Sequence, residues 1–294
     1  MNNRASRSRT SDKFMTGVFY CVGGFFVLLL VVLVGYIVIK GFADMDPSFL
    51  SFNREGIGNQ LFNTIYLVFL SLVICVPLGV AAGIYMAEYA KPGKLTKFIR
   101  ICIETLSSLP SIVVGLFGYL VFLLMTGATW NLLAGAAAVS ILCLPLITTT
   151  TEDAFRALPD SYREGGLALG TTHWQTIIHV LLPACVGRII TGVILAAGRG
   201  FGEAAALLYT AGQSTNINWS NWWNLTSPTC PLNPLRPGET LALHIWTMRT
   251  EGSLYANSTE IANFSAAVLV LLVFAFSLLA RYISRRMAKK ASGQ

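Results

Sequence analysis

Arg199 and Glu203 stand four residues apart inside a stretch, 184–209, that is otherwise apolar enough to cross a bilayer. Four residues is just over one helical turn, so both side chains leave the same face and can pair. A charge at the bilayer centre costs at least roughly 2.5 to 3.5 kcal/mol even on insertion scales, so such groups must face protein or water. Two readings stay open. In one, the ion pair satisfies itself inside a helix bundle. In the other, Arg199 is the positive contact for an anion on a path through the membrane, because its planar fork matches paired oxygens, and Glu203 holds the guanidinium in place. Around the pair, Gly192, Ala196, Gly200 and Ala204 recur every four residues, as do Gly198, Gly202 and Ala206. Such ridges of small residues admit close helix packing.

A second constellation precedes it, the segment 161–183, "SYREGGLALGTTHWQTIIHVLLP". Ser161 with Glu164 three residues on has the form of a capping box, and Gly170 is placed to stop that helix. Thr172 with Gln175 repeats the signature, and Pro183 marks where a second short helix gives way to the next apolar stretch. Gly165 and Gly166 each cost the first helix roughly 1 kcal/mol relative to alanine. Their missing side chains would let a partner surface come close, which makes the segment a docking element. The alternative is an amphipathic helix lying on the bilayer.

No other chemistry-bearing set appears. His173, His179 and His244 lie far from any metal-ligand or nucleophile spacing, and no cofactor motif is present. Gly93 and Lys94 are followed by Leu95 instead of Ser or Thr, so the sequence has no phosphate-binding loop of the Walker kind. The chain reads as no enzyme.

The elements that must position these residues are membrane spans. Of 294 residues, 54% are hydrophobic and 12% charged, about half the charged share of a soluble domain. A span needs roughly 20 mainly apolar residues, which predicts six of them, at 18–39, 61–86, 109–125, 132–151, 184–209 and 262–282. The fold class is therefore an all-α membrane protein. Pro77, Pro110 and Pro145 fall within predicted spans, and the hydroxyls of Thr148 to Thr151 are available to the carbonyl that Pro145 frees. The first span follows Arg4, Arg7, Arg9 and Lys13 like the core of a signal peptide, but its apolar run is too long and no cleavage pattern follows, so it reads as a retained anchor.

Lys and Arg collect at the N-terminus, between the second and third spans (Lys91, Lys94, Lys97, Arg100) and in the tail (Arg281, Arg285, Arg286, Lys289, Lys290). Positive loops stay in the cytoplasm, so both termini and the 161–183 segment face inward. The net charge of +7 is mostly this topology signal, and no basic patch interleaved with aromatics speaks for nucleic acid. The six cysteines lack CxxC spacing and predict no disulfide framework. In the outward segment 212–260, Trp219, Trp222 and Trp223 either seat the loop at the membrane interface or form a ligand cage. No internal repeat is visible.

At 161–183 a resemblance becomes specific. The permease subunits of bacterial ABC importers carry a cytoplasmic motif of E-A-A, three residues, G, nine residues, I, one residue, L-P. Glu164, Gly165, Gly166, Gly170, Val180, Leu182 and Pro183 fall on it with every spacing intact. The wider run from "LPLITTTTEDAFRALPDSYREGG" to "GRGFGEAAALLYTAG", with "SSLPSIVVGLFGY" at 107–119, resembles the phosphate-specific branch, the PstA type, although that branch is expected to show "GETAPLL" where this chain has "GEAAALL". The resemblance implies a type I ABC importer permease fold. It implies residues 1–57 as N-terminus, anchor and outward loop, 58–283 as the permease domain, and 284–294 as a basic tail. It implies coupling of ATPase subunits through Glu164, Gly165, Gly166, Gly170, Leu182 and Pro183, and a translocation role for Arg199 and Glu203. The implied partners are a PstC-like second permease, a PstB-like ATPase dimer and a PstS-like binding protein outside. The rivals are a permease for molybdate or sulfate and a stand-alone secondary carrier or channel.

Overall fold

The computed structural model describes residues 2–43, 45–52, 56–252 and 257–291, the side chains at 2–11, 221 and 287–291 excepted. Arg4, Arg7, Arg9, Lys289 and Lys290 therefore lie outside the described side chains. Ten α-helices follow one another among the described residues, besides two short 3-10 turns at Pro47–Leu50 and Trp219–Asn221: α1 (Asn2–Ala43), α2 (Gly58–Tyr89), α3 (Lys94–Ser108), α4 (Ser111–Leu124), α5 (Leu132–Arg156), α6 (Ser161–Ala168), α7 (His173–Phe201), α8 (Ala205–Thr210), α9 (Leu241–Thr250) and α10 (Ser258–Ala291). No strand occurs among the described residues.

The bundle is built round α5. Its Leu132, Ala136, Val139, Cys143 and Ile147 repeat at helical spacing and are buried against Leu67 and Cys75 of α2, Ala196 of α7, Leu207 of α8 and Leu243 of α9. Close approach is set by glycines. A Cβ at Gly79 would stand 2.8 Å from Ile147, and one at Gly83 only 2.5 Å from Thr151. Two glycines four apart thus bring α2 and α5 together, as such pairs do in lipid where no hydrophobic drive separates helix from solvent. By contrast α1 has none of its apolar window buried. Near its end it leans on α10, where Gly41 meets Ala267 and Asn263. Along most of its length no other described residue covers it.

Three sequence expectations need correction. The third predicted span, 109–125, coincides with α4, but Pro110 stands at its start and not within it. α3 and α4 meet at a bend of 101°, and Pro110 sits in extended backbone as the cap residue of α4. A proline disfavours helical geometry in the residue before it, and Leu109 is extended as well. α4 then has about 14 residues and reaches about 21 Å at 1.5 Å per residue, and α3 is an elbow with no buried residue. Second, Pro183 does not end a helix. α7 runs unbroken through it because the turn Ile177–Leu181 is widened: Leu182 N–H reaches Ile177 O, five residues back, and an inserted residue of this kind makes room for a proline ring. Third, the fifth span stops at Phe201. Gly202 and Glu203 N–H turn back on the carbonyls of Arg199 and Gly200, and α8 begins afresh at Ala205.

The hydroxyls after Pro145 also act differently from expectation. Thr149 bonds the carbonyl of Pro145 at 2.9 Å and Thr150 that of Leu146 at 2.7 Å, so they tie down the turn that follows the proline. All six thiols are free.

Candidate functional site

The 161–183 segment lies at the end of the bundle that carries the basic stretch 91–100; this is the basic end, and the opposite one the far end. The first capping box does not form, since Asp160 occupies the cap position and no side chain caps α6. The stop does form: Gly170 has φ +79, Thr171 N–H bonds Gly166 O and Gly170 N–H bonds Leu167 O. That reciprocal pattern needs a left-handed residue, which glycine adopts freely. The second box is complete, with Thr172 and Gln175 each capping the other's backbone.

The two glycines divide the work. Gly165 is exposed and has open space where a Cβ would point, whereas a Cβ on Gly166 would stand 2.7 Å from Thr176. Gly166 lets α6 close on the start of α7, and Gly165 leaves an outward notch. Glu164 is exposed beside it, Leu182 half-buried and Pro183 exposed.

Motif reasoning missed the residue that holds this loop. Arg163 puts Nη2 2.7 Å and Nε 3.1 Å from Glu88 Oε1 at the end of α2. The same guanidinium donates to the carbonyls of Phe155, at 2.9 Å, and Leu158, and reaches Asp160 at 3.1 Å. The Glu88 side chain is only 3% exposed. Hydrogen bonding to that carboxylate holds the Arg163 pKa above its ordinary value. A forked pair of this sort is both stronger and more directional than neutral hydrogen bonds. Nearby, Glu152 is 4% exposed and takes Arg100 at 2.6 Å and Arg156 at 2.9 Å, fastening the elbow α3 to the end of α5. A sequence signal existed: Glu88 is an isolated acid and Glu152 the first of an acidic pair with Asp153, each at the end of an apolar run, where a charge needs a partner.

Arg199 and Glu203 are not paired. α7 ends between them, so the helical spacing that predicted the pair is broken. Glu203 is 8% exposed and accepts the Ala206 N–H at 3.1 Å, capping α8. Arg199 is exposed and makes no ion pair or hydrogen bond among the described residues. It belongs to a face with Ala184, Arg188, Thr191, Leu195 and Gly202, all exposed, which covers an arc of about 80° at 3.6 residues per turn. Of the two small-residue ridges, Gly192, Ala196 and Gly200 pack inward. Gly198 and Gly202 stay on the open side with Arg199.

The far end holds a buried polar network. Arg236, 1% exposed, bonds Asn63 Oδ1 at 2.6 Å, Pro231 O at 3.1 and 3.2 Å, and Pro237 O at 3.3 Å. Burial pushes its pKa down to about 10. Asn63 in turn donates to Glu239 O, and Glu239 Oε2 lies 2.9 Å from His244 Nδ1. Trp219 donates to Asn59 at 3.0 Å and stands edge-on to Phe52 and Phe62, so it pins the loop to α2, while Trp222 and Trp223 remain exposed.

Comparison with known proteins brings the following. Residues 79–289 match the family described as binding-protein-dependent transport system inner membrane component. A probable ABC transporter permease protein, YqgI of Bacillus subtilis, is 45% identical over 289 residues, 96% of this chain and 98% of the relative. The phosphate transport system permease protein PstA of Xylella fastidiosa is 38% identical over 168 residues, 57% of this chain and 58% of that protein. Among solved structures, a chain of a bacterial alginate ABC transporter aligns with TM-score 0.66 at 15% identity, over 92% of this chain and 95% of that one. A chain of the inward-facing MetNI methionine ABC transporter aligns with TM-score 0.56 at 19% identity, over 83% and 99%. The fold is that of type I ABC importer permeases.

Proposed function

The chain belongs to the family of binding-protein-dependent transport system inner membrane components, and from that premise we propose that its transported substrate is inorganic phosphate. As the permease subunit of an ABC importer it lines a path through the membrane, and on this reading Arg199 meets the anion there. The observation that carries the reading is Arg199 itself, a cation left uncovered well inside an apolar helix, 11 residues beyond Arg188 on the same open face. A guanidinium fork matches the paired oxygens of phosphate, and a bare cation at that depth is tolerable only against protein or water. The PstA relatives, matched over about half their length, support the choice of anion. Glu203 keeps the start of α8 in place beside the arginine and, being acidic, limits how tightly an anion is held.

The permease unit is 58–283, with 1–57 an anchor and outward loop and 284–294 a tail. The basic end faces the cytoplasm, both termini with it. There Glu164, Gly165, Gly170 and Pro183 meet a groove of a PstB-like ATPase dimer, while Gly166 and Leu182 shape the loop behind them. A PstC-like permease covers the open face of α7, and a PstS-like protein delivers phosphate from outside. Arg163 transmits the ATPase stroke to α2 and α5.

The test is phosphate uptake by the assembled complex. Arg199→Ala is expected to lower it at least tenfold with the complex still assembled; normal uptake in both Arg199→Ala and Glu203→Ala removes the pathway role. Because the fork fits any tetrahedral oxyanion, molybdate and sulfate serve as competitors, and uptake inhibited by molybdate more than by unlabelled phosphate reassigns the cargo.

A further inference from the structure

A cavity of about 220 Å³ opens between α7 and α10, lined by Thr191, Ile194 and Leu195 on one side and Arg281, Ser284 and Arg285 on the other. Arg281 and Arg285 are four residues apart, so both side chains leave one face of α10. Like charges at that spacing repel, and among the described residues no acid relieves them. Neither arginine is ion-paired among the described residues. α7 contains no Asp or Glu, and the single acid of α10 is Glu260 at its opposite end, 21 residues from Arg281 and therefore about 31 Å away at 1.5 Å per residue. Arg286, by contrast, is spoken for, stacked 4.8 Å over the ring of Tyr282. Arg188, one turn from Thr191 on the exposed face of α7, adds a third positive charge on that side.

We propose that this cavity is a second anion site, which takes a phosphate-type oxyanion between the forks of Arg281 and Arg285, with the hydroxyls of Ser284 and Thr191 as further partners. Paired guanidinium donors suit tetrahedral oxyanions bearing two charges. The volume equals about seven waters at about 30 Å³ each, enough for a small oxyanion with part of its hydration. Thr191 is eight residues from Arg199, about 12 Å along α7 toward the basic end, so the cavity lies inward of the first arginine. The same chemistry recognises free phosphate and the phosphate of a lipid headgroup. The geometry stands apart from the transport reading; only the choice of inorganic phosphate as a probe rests on it.

The experiment uses the complete importer in phosphatidylcholine nanodiscs, without binding protein or ATP, in the Arg199→Ala background so that the anion contact proposed at Arg199 does not contribute. Equilibrium binding of radiolabelled inorganic phosphate is compared with and without Arg281→Gln/Arg285→Gln. A loss of at least tenfold in affinity assigns the site to the free anion. In a parallel arm with phosphatidylglycerol, native mass spectrometry counts retained lipids; loss of one lipid per chain in the glutamine variant, with no phosphate binding in either form, assigns it to a headgroup. Both results uphold an anion site, and identical behaviour of the two forms in both arms overturns it. Ser284→Phe, which fills the cavity and keeps the charges, is expected to abolish binding equally, and wild-type binding in that variant also overturns the proposal. A wild-type complex that binds phosphate here yet imports none overturns the phosphate-import reading alone.

Discussion

Arg236 and Arg163 secure opposite ends of the molecule by opposite means. Arg236 is sealed among neutral acceptors, the carbonyls of Pro231 and Pro237 and the amide oxygen of Asn63, and three of its four bonds return to its own loop. Its charge is uncompensated, and burial lowers its pKa. Arg163 faces a carboxylate on another helix, one carbonyl in the last turn of α5 and one just beyond it, and its pKa rises. The first arrangement shapes one segment and ties it to a single span through Asn63. The second joins a surface loop to two spans, which is what a loop must do if force applied to it is to move helices. A buried charge is thus used at the far end for local order and at the basic end for linkage.

The sharpest challenge to that contrast is Arg236→Ala. It strands at least three buried acceptors, each costing about 1 to 3 kcal/mol, so a fall of at least about 3 kcal/mol in stability is expected, read as loss of assembled complex and a lower melting temperature. A variant that assembles normally but transports poorly would erase the distinction. Arg163→Ala should do the reverse: uptake falls at least tenfold while the complex assembles and ATPase activity persists. Glu88→Gln should show a milder form, and Glu88→Arg with Arg163→Glu should recover part of the uptake. Loss of assembly instead would make Arg163 another structural staple.

Smaller effects separate the two glycines. Gly166→Leu drives a side chain into Thr176 and is expected to destabilise the loop by about 1 to 3 kcal/mol, visible as faster hydrogen exchange across 161–176. Gly165→Leu meets open space, so exchange stays near wild type while co-purification of the ATPase subunit declines. The smallest pair concerns the caps. Thr172→Ala removes a completed capping box and is expected to cost about 1 kcal/mol. Ser161→Ala removes a hydroxyl that caps nothing and should stay within about 0.5 kcal/mol, both read from thermal melting.

Motif spacing marked the 161–183 loop as a structured element, and the glycine stop and the second box formed as their chemistry requires. It failed where distant residues decide. Ser161 and Glu164 have the spacing of a cap, yet the chain enters α6 one residue earlier and Asp160 takes the position. Pro183 has the form of a terminator, yet a widened turn absorbs its ring. Arg199 and Glu203 have the spacing of a pair, yet α7 ends between them. Glu88 carries no motif at all, and its importance follows from a partner 75 residues later.

The order of residues alone established a helical membrane protein, the number of apolar segments to within one bent pair, and which loop carries the docking signature. These follow from quantities local in the chain: the apolar length a bilayer demands, and the backbone angles that glycine and threonine favour. Where α7 stops, which glycine looks outward, and which acid each arginine meets depended on the packed bundle. Those outcomes are set by contacts between segments far apart in the chain, whose energies no local pattern contains.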